Sequence, residues 1–204
     1  MIFKIHPADP QKRKIQALTK ILQDGGVVIY PTDSVYGLGC DFANSEAVDK
    51  ICKLRGLDPV KANLTFICKD ISQVSEYTAQ MNNDTFRLMK RNLPGPFTFI
   101  LRSNNAVPKM FKNKKRTVGV RIPSNNIAID LVEELGRPIL STSLKADEDI
   151  VEYFTDPRLI EEKFGNRVDA VIDGGIGNLE PSAVVDCTGD EPLLVRPGVQ
   201  DLRL

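Results

Sequence analysis

Short apolar runs alternate with helical repeats of apolar residues along the chain. Residues 27–30 are all apolar and end at Pro31, a pattern typical of a buried central strand. Residues 126–135 place apolar side chains at helical spacing, and Gly136 follows as a stop signal. The same criteria predict helices at residues 11–23, 45–54 and 86–91, and strands at residues 2–5, 64–68, 97–101, 117–122, 139–141, 168–172, 183–185 and 193–195.

These elements predict an α/β protein. Strands that alternate with helices favour parallel pairing, and the closely spaced strands near the end of the sequence indicate some antiparallel pairing. The sequence shows no internal repeat, low-complexity tract or linker, and its 204 residues fit one domain. We therefore expect residues 1–204 to form a single domain.

Composition and charge narrow the classes of function. Only one histidine, His6, is present, so a Ser-His-Asp triad or a multi-histidine metal site is not expected. The four cysteines form no C-x-x-C pair, the N-terminal segment is too polar for a signal peptide, and no apolar run approaches the roughly 20 residues that span a bilayer. The sequence thus predicts a reduced, cytoplasmic protein without a membrane segment.

Charge is distributed unevenly although the net charge is zero. Residues 1–121 contain 20 Lys and Arg against 10 Asp and Glu, and residues 122–204 contain 7 against 17. The basic part includes clusters at residues 12–14, 87–91 and 112–116, which could attract RNA or a triphosphate. Solvated helix faces would give the same pattern, so charge alone leaves both possibilities open.

Two segments carry residue types that suit binding. Residues 31–39 place hydroxyls and glycines directly after a buried strand, where open α/β sheets bind ligands, although a turn that needs glycine has the same composition. In residues 117–121, alternation puts Thr117 and Arg121 on one face of a strand, where an arginine can hold a carboxylate through two hydrogen bonds. Because Thr32 and Ser143 also follow or end apolar strands, we expect all four residues to face one site.

The motifs, in their order along the chain, resemble those of the YrdC/YciO family of threonylcarbamoyl-AMP synthases and their relatives. PTDSVYGLGCD at residues 31–41 is the most specific of them. The others are KLR at 53–55, PGPFTFIL at 94–101, TVGVRIP at 117–123, STS at 141–143, PSAVVD at 181–186 and VRPGV at 195–199. The resemblance covers nearly the whole chain. It implies a YrdC-like, strongly twisted mixed parallel and antiparallel sheet with flanking helices and a concave central cavity.

In that family, ATP, L-threonine and bicarbonate give threonylcarbamoyl-AMP and pyrophosphate, for the modification of adenosine in certain tRNAs. The resemblance implies that threonine is held by Thr32, Arg121, Ser141 and Ser182. It implies that ATP is held by Arg55, Asn63, Thr117, Ser143 and Arg196. Mg²⁺ is expected as a cofactor without a dedicated protein site, because it keeps several waters and binds phosphate oxygens.

The synthases of the family share a catalytic Lys-x-Arg and Ser-x-Asn set, which corresponds here to Lys53, Arg55, Ser143 and Lys145. Lysine thus stands at position 145 where the synthases have asparagine, and the stretch between Arg55 and Asn63 is longer than theirs. Both changes are similar to the YciO branch. A lysine can screen phosphate charge, but it cannot accept a hydrogen bond as asparagine does.

Two classes of function follow. The first is a nucleotidyltransferase that forms threonylcarbamoyl-AMP or a close adenylate. The second is a non-catalytic paralogue that binds tRNA or double-stranded RNA in translation or ribosome maturation, which the basic part of the sequence and Lys145 suggest. A nucleotide-binding scaffold without turnover is a third possibility.

Overall fold

The structure is a computed structural model, and it describes residues 1–56, 64–108, 116–144 and 154–203. The strands in these ranges are β1 Ile2–Lys4, β2 Val27–Tyr30, β3 Gly37–Asp41, β4 Thr65–Ile67, β5 Phe97–Arg102, β6 Thr117–Arg121, β7 Ile139–Ser143, β8 Ala170–Asp173, β9 Ala183–Asp186 and β10 Leu193–Arg196. The helices are α1 Lys12–Gln23, α2 Ser45–Arg55, α3 Ile71–Tyr77, α4 Asn83–Asn92, α5 Asn126–Leu135 and α6 Pro157–Phe164.

All of these strands belong to one sheet, in the order β1-β8-β2-β3-β7-β4-β6-β5-β9-β10. The pairs β1–β8, β2–β8, β4–β6 and β5–β9 are parallel, and the remaining pairs are antiparallel. The predicted mixed parallel and antiparallel sheet with flanking helices is therefore confirmed.

Helices cover both sides of the sheet. The apolar residues of α2, α3, α4 and α6 join one core cluster with alternate residues of the strands, such as Ile29 and Val120. Those of α1 and α5 join a second cluster with Val28, Ile67 and Ile139, which point to the opposite side. No helix in the described part of the chain is long and apolar enough to cross a membrane.

Strand β3 was not predicted, because its glycines indicated a turn. Tyr30 of the neighbouring β2 explains why glycine is needed in a strand here. A Cβ added at Gly37 would lie 2.9 Å from the Tyr30 ring, and a Cβ added at Gly39 would lie 2.8 Å from it. The two glycines leave the space that the ring occupies, so the backbone can remain extended beneath it.

Two short helices, α3 and α6, were also missed, and the predicted cap of α2 was displaced by one residue. Asn44, rather than Ser45, caps this helix, and its side chain accepts a hydrogen bond from the backbone N–H of Ala47 at 3.1 Å. Asparagine at this position satisfies a donor that the first helical turn leaves unpaired.

Candidate ligand-binding site

The strand register places a set of polar side chains on one side of the sheet. Ser141 pairs with Gly39 on one neighbouring strand and with Thr65 on the other. Thr65 pairs in turn with Gly119. Because paired residues point to the same side and side chains alternate along a strand, positions two residues away share this side. We call this surface the polar face and define it by Thr65, Thr98, Thr117, Gly119, Arg121, Ser141, Ser143 and Ser182.

Arg121 is a buried cation on the polar face, with 6% of its surface exposed. Its Nη2 donates hydrogen bonds to the Thr32 hydroxyl at 3.2 Å and to the carboxylate of Asp33. The backbone N–H of Ser124 donates to the same carboxylate at 2.8 Å. The loop after β2 therefore lies against the C-terminal end of β6, and the predicted proximity of Thr32 and Arg121 is present in the structure.

The hydroxyl of Thr32 is fully used by the chain itself. It donates to the carbonyl of Val35 at 2.7 Å, and it accepts from the backbone N–H of Ser34 at 3.0 Å as well as from Arg121. A hydroxyl has one donor and two acceptor positions, and these contacts fill all three. The geometry thus assigns Thr32 to the orientation of Arg121.

Ser182 and Arg196 lie next to this arginine. The hydroxyls of Ser182 and Thr98 are hydrogen-bonded at 2.9 Å, and Nη2 of Arg196 donates to the carbonyl of Ser182 at 2.8 Å. Burial, together with the positive charge of Arg121, lowers the pKa of Arg196. Two positive charges that lie near each other in this way favour the binding of an anion close to them.

Both guanidinium groups also have unused hydrogen-bonding capacity. The Nε–H groups of Arg121 and Arg196 are buried, and neither has a hydrogen-bond partner among the described residues. Most buried donors in proteins are paired, so an unpaired one indicates a ligand or a water. An anionic ligand, such as a carboxylate or a phosphate, would satisfy both donors and offset the charge.

A second group of hydroxyls lies in the middle of the polar face. The Tyr30 hydroxyl donates to the Ser141 hydroxyl at 2.6 Å, and Ser141 donates to the carbonyl of Leu38 at 3.3 Å. Burial raises the pKa of Tyr30 to about 12, although the hydrogen bond to Ser141 and the charge of Arg121 act in the opposite direction. Tyr30 is therefore a neutral donor at any physiological pH.

Thr117 and Ser143 lie toward one end of the same surface. Thr117 is two residues before Gly119 and Ser143 is two residues after Ser141, in strands that each pair with β4 on opposite edges. Because β6 and β7 run in opposite directions, the two residues lie at the same level of the sheet. Ser143 pairs with Gly37, so this level corresponds to the start of β3.

The predicted cations of α2 come from the other side of the sheet. Only three residues separate β3 from α2, so the helix runs back along the strand and ends near the level of Gly37 and Ser143. Lys53 is exposed and Arg55 is half-buried in its last turn. Asn63 and Lys145, which were predicted to hold ATP and to complete the catalytic set, lie outside the described residues.

The VRPGV motif needs glycine at position 198 because its backbone lies very close to that of residues next to the polar face. A Cβ added at Gly198 would lie 2.1 Å from the backbone nitrogen of Ala183 and 2.5 Å from the carbonyl carbon of Ser182. The backbone N–H of Val199 donates to the Pro181 carbonyl at 3.1 Å in the same place. Gly198 thus lets the segment that carries Arg196 dock against Ser182.

We expect Gly198→Ala to lower the free energy of unfolding by about 1–3 kcal/mol, because the added methyl group meets backbone atoms that cannot rotate away. Gly189→Ala is the matched control, since the nearest atom to its added Cβ lies 3.9 Å away. Urea unfolding of the two variants measures the difference. Equal stability of both would contradict the proposed close approach.

The two basic clusters that lie wholly in the described residues, at 12–14 and 87–91, are not on one surface. Lys12 to Lys14 begin α1, and Lys90 and Arg91 end α4. These two helices cover opposite sides of the sheet. Lys112, Lys114 and Lys115 lie outside the described residues, so the binding of tRNA or double-stranded RNA stays a prediction.

A groove of about 600 Å³ lies elsewhere, at the edge formed by β1 and β8. Its lining includes Lys4, His6, Arg158 and Asp173. The polar face contributes none of the lining residues, and we place the candidate site at the polar face because its buried donors are unpaired there.

Comparison with known proteins agrees with this geometry. Residues 20–198 match the profile of the Sua5/YciO/YrdC family, whose description is "Telomere recombination". The chain belongs to this family. It is 43% identical to the uncharacterized protein YciO of Escherichia coli K12, over 98% of this chain and 97% of that protein. The crystal structure of E. coli YciO superimposes with a TM-score of 0.91 at 42% identity, and covers 100% of this chain and 98% of that one.

More distant members of the family carry a named activity. The threonylcarbamoyl-AMP synthase of Halorhodospira halophila is 31% identical over 81% of this chain and 85% of its own length. Sua5 of Pyrococcus abyssi, whose crystal structure is a complex with L-threonine, superimposes with a TM-score of 0.85 at 29% identity. This match covers 97% of the present chain and 57% of the Sua5 chain.

The sequence analysis did not predict a place in the site for three residues around the polar face, which are Tyr30, Asp33 and Thr98. Tyr30 ends an apolar strand, and the sequence pattern predicts no role for it beyond that strand. A signal was nevertheless present, because an aromatic residue before a Gly-x-Gly segment is suited to lie across the two glycines. Asp33 stands next to Thr32 in the most specific motif, but only the fold shows that it pairs with Arg121.

Proposed function

We propose that the protein binds L-threonine and ATP on the polar face and forms threonylcarbamoyl-AMP or a close adenylate. The observation that carries this proposal is the buried guanidinium of Arg121, held by Thr32 and Asp33 with its Nε–H unpaired. A guanidinium in this setting suits the carboxylate of a small amino acid. The similarity to threonylcarbamoyl-AMP synthases, at about a third identity, supports the choice of threonine.

The proposed reaction needs positioning and charge screening, and it needs no nucleophilic side chain. The amine of threonine and bicarbonate give a carbamate with loss of water. A carbamate oxygen then attacks the α-phosphorus of ATP, and the bond from that phosphorus to the pyrophosphate leaving group breaks. Such a displacement depends on in-line alignment and on cations around the phosphates. We assign the cationic role to Arg55 and Arg196.

The hydroxyls of Thr117 and Ser143 would hold the nucleotide at the end of the polar face that α2 approaches. Among the described residues, no group of three or more His, Cys, Asp or Glu side chains could hold a metal ion. We propose that Mg²⁺ enters with ATP and is held mainly by phosphate oxygens and waters. Bound in this way, it would neutralise phosphate charge during the displacement.

The test is the release of pyrophosphate from ATP in the presence of L-threonine, bicarbonate and Mg²⁺. We expect release that requires both threonine and bicarbonate and that falls by at least about 100-fold in Arg55→Ala, because a cation near the phosphates is removed. Arg87→Ala, an exposed arginine on α4, is the control and should keep full activity. Release no greater than in Arg55→Ala would contradict the proposal, and calorimetry with ATP would then test a scaffold without turnover.

A further inference from the structure

The loop between β2 and β3 carries the two residues that hold Arg121. Thr32 and Asp33 both accept hydrogen bonds from its guanidinium, and the Asp33 carboxylate also accepts from the backbone of Ser124. The loop can fix the guanidinium only if other contacts fix the loop itself. The hydrogen bond from Ser124 is one such contact, and the main chain of the loop makes others.

The segment that follows β8, residues 174–178, packs directly against this loop. Its backbone turns at Gly175, whose φ of +100° is a conformation that favours glycine. Gly177 then lies against the ring of Tyr36, the last residue of the loop, and a Cβ added at Gly177 would lie 2.7 Å from that ring. The lack of a side chain at position 177 therefore lets the segment come this close to the loop.

Asn178, at the end of this segment, donates two hydrogen bonds to the main chain of the loop. Its Nδ2 donates to the carbonyl of Asp33 at 3.1 Å, and its backbone N–H donates to the carbonyl of Ser34 at 3.4 Å. The Tyr36 hydroxyl donates in the opposite direction, to the carbonyl of Gly175 at 2.7 Å. These three hydrogen bonds join the segment to the loop, and two of them come from Asn178.

We propose that Asn178 is a positioning residue of the polar face. It holds the main chain of Asp33, so that the Asp33 carboxylate and the Thr32 hydroxyl orient Arg121 toward a carboxylate ligand. The proposal rests on the function proposed above. Asn178 is exposed and acts through the loop. If the loop leaves this position, it must return when the ligand binds, and the free energy of that return is lost from the affinity.

Gly177→Ala tests the position of the segment. Because the Tyr36 ring is fully buried in a core cluster, the added methyl group should push the segment, and Asn178 with it, away from the loop. We expect the binding of L-threonine, measured by calorimetry in the presence of ATP, to weaken by about 10-fold. The affinity for ATP alone should change by less than about 2-fold, because the described residues proposed to hold the nucleotide lie on α2, β6, β7 and β10.

Gly165→Ala is the matched control for an added methyl group. A Cβ added at Gly165 would lie 2.4 Å from the carbonyl oxygen of Glu161 in α6, so this variant should also lose stability. Helix α6 packs on the side of the sheet opposite to the polar face. The variant should therefore keep the wild-type affinity for threonine. Equal losses of affinity in Gly177→Ala and Gly165→Ala would show that lost stability alone is responsible.

Asn178→Ala removes a hydrogen bond without adding bulk. Threonine binding should weaken by about 3-fold in this variant. The backbone N–H of Ser34, which donates to the Thr32 hydroxyl at 3.0 Å, should exchange with deuterium about 5-fold faster. Hydrogen exchange reports the opening of the loop without any ligand. If Asn178 instead contacted the ligand directly, affinity would fall without faster exchange.

Asn104→Ala is the matched control for the lost amide. Nδ2 of Asn104 also donates to main-chain carbonyls, those of Glu76 at 2.9 Å and Thr78 at 3.1 Å. These hydrogen bonds join the end of β5 to the end of α3, which packs on the side opposite to the polar face. This variant should leave both the exchange of Ser34 and the affinity for threonine unchanged.

The outcomes separate this proposal from the proposed function. If the wild-type protein binds threonine but Asn178→Ala keeps its affinity or the wild-type exchange of Ser34, the role of Asn178 is wrong and the proposed function stands. The same holds if Gly177→Ala loses no more affinity than Gly165→Ala. If the wild-type protein binds no amino acid with or without ATP, both proposals fall. Should Gly177→Ala not fold, Asn178→Ala decides alone, because its side chain is exposed.

Discussion

Arg121→Ala is expected to weaken the binding of L-threonine by about 100-fold, because a buried, oriented guanidinium supplies about 3 kcal/mol when it pairs with a carboxylate. Arg121→Lys should recover only a small part of this affinity, since one ammonium on a flexible stem cannot contact Thr32, Asp33 and the ligand from the fixed positions of a planar guanidinium. Calorimetry with threonine, in the presence of ATP, measures both variants.

Loss of stability alone could weaken binding, and a second ion pair provides the control. Arg137 pairs with the buried carboxylate of Asp41, donating through both Nε and Nη2. The hydrogen bond to Asp41 is the main reason that the pKa of Arg137 is raised. Arg137→Ala leaves a buried carboxylate unpaired, as Arg121→Ala does, but it should leave threonine affinity unchanged. Equal losses of affinity in the two variants would show that Arg121 acts only on folding.

Much of the fold could be predicted where local pattern and tertiary environment agree. The strand at residues 27–30 is bounded by Gly26 and Pro31, and the helix at residues 126–135 has a continuous apolar stripe, so both were predicted with the correct limits. Strand β3 could not be predicted in this way, because the reason for its glycines is the ring of Tyr30, which belongs to another strand. Helix α6 begins at Pro157 and has only eight residues, too few for a clear period.

Two kinds of information in the sequence predicted part of the site: the alternation of side chains along a strand, and the resemblance of the motifs to those of the family. Alternation placed Thr117 and Arg121 on one face, and the register confirms that they share it. The partners of Arg121 could not be deduced, since Asp33 is 88 positions away and meets it only through the loop after β2. The sequence also could not show that the Thr32 hydroxyl has all of its hydrogen-bonding positions filled. Two of its partners are backbone groups of its own loop, and their positions depend on the conformation of that loop.

The pairing of Arg121 with Asp33 has a further consequence for the free protein. The chain supplies its own carboxylate to a guanidinium that we propose to bind the carboxylate of a ligand. Asp33 also accepts from the backbone of Ser124, so it anchors the loop to the end of β6. One carboxylate therefore fixes the arginine in place, and the unpaired Nε–H remains for the ligand.

Asp33→Ala is expected to lower the free energy of unfolding by about 3 kcal/mol, because it leaves a buried arginine without its carboxylate. The side chains of Arg121 and Asp33 are 7% and 11% exposed, so water cannot replace the lost partner effectively. Asp24→Ala, which breaks the exposed pair with Lys20, should cost less than about 1 kcal/mol. Urea unfolding compares the two variants.

Added acetate provides the sharper measurement, because it can enter the space that the Asp33 side chain leaves and pair with Arg121. Acetate should raise the unfolding midpoint of Asp33→Ala more than an equal concentration of chloride does, since only a ligand that binds the folded state stabilises it. The wild-type protein and Asp24→Ala should show a smaller difference between the two salts, because Arg121 already has the carboxylate of Asp33 in both. If Asp33→Ala is as stable as Asp24→Ala, or if acetate and chloride act alike on it, the carboxylate of Asp33 is not what holds Arg121 in place.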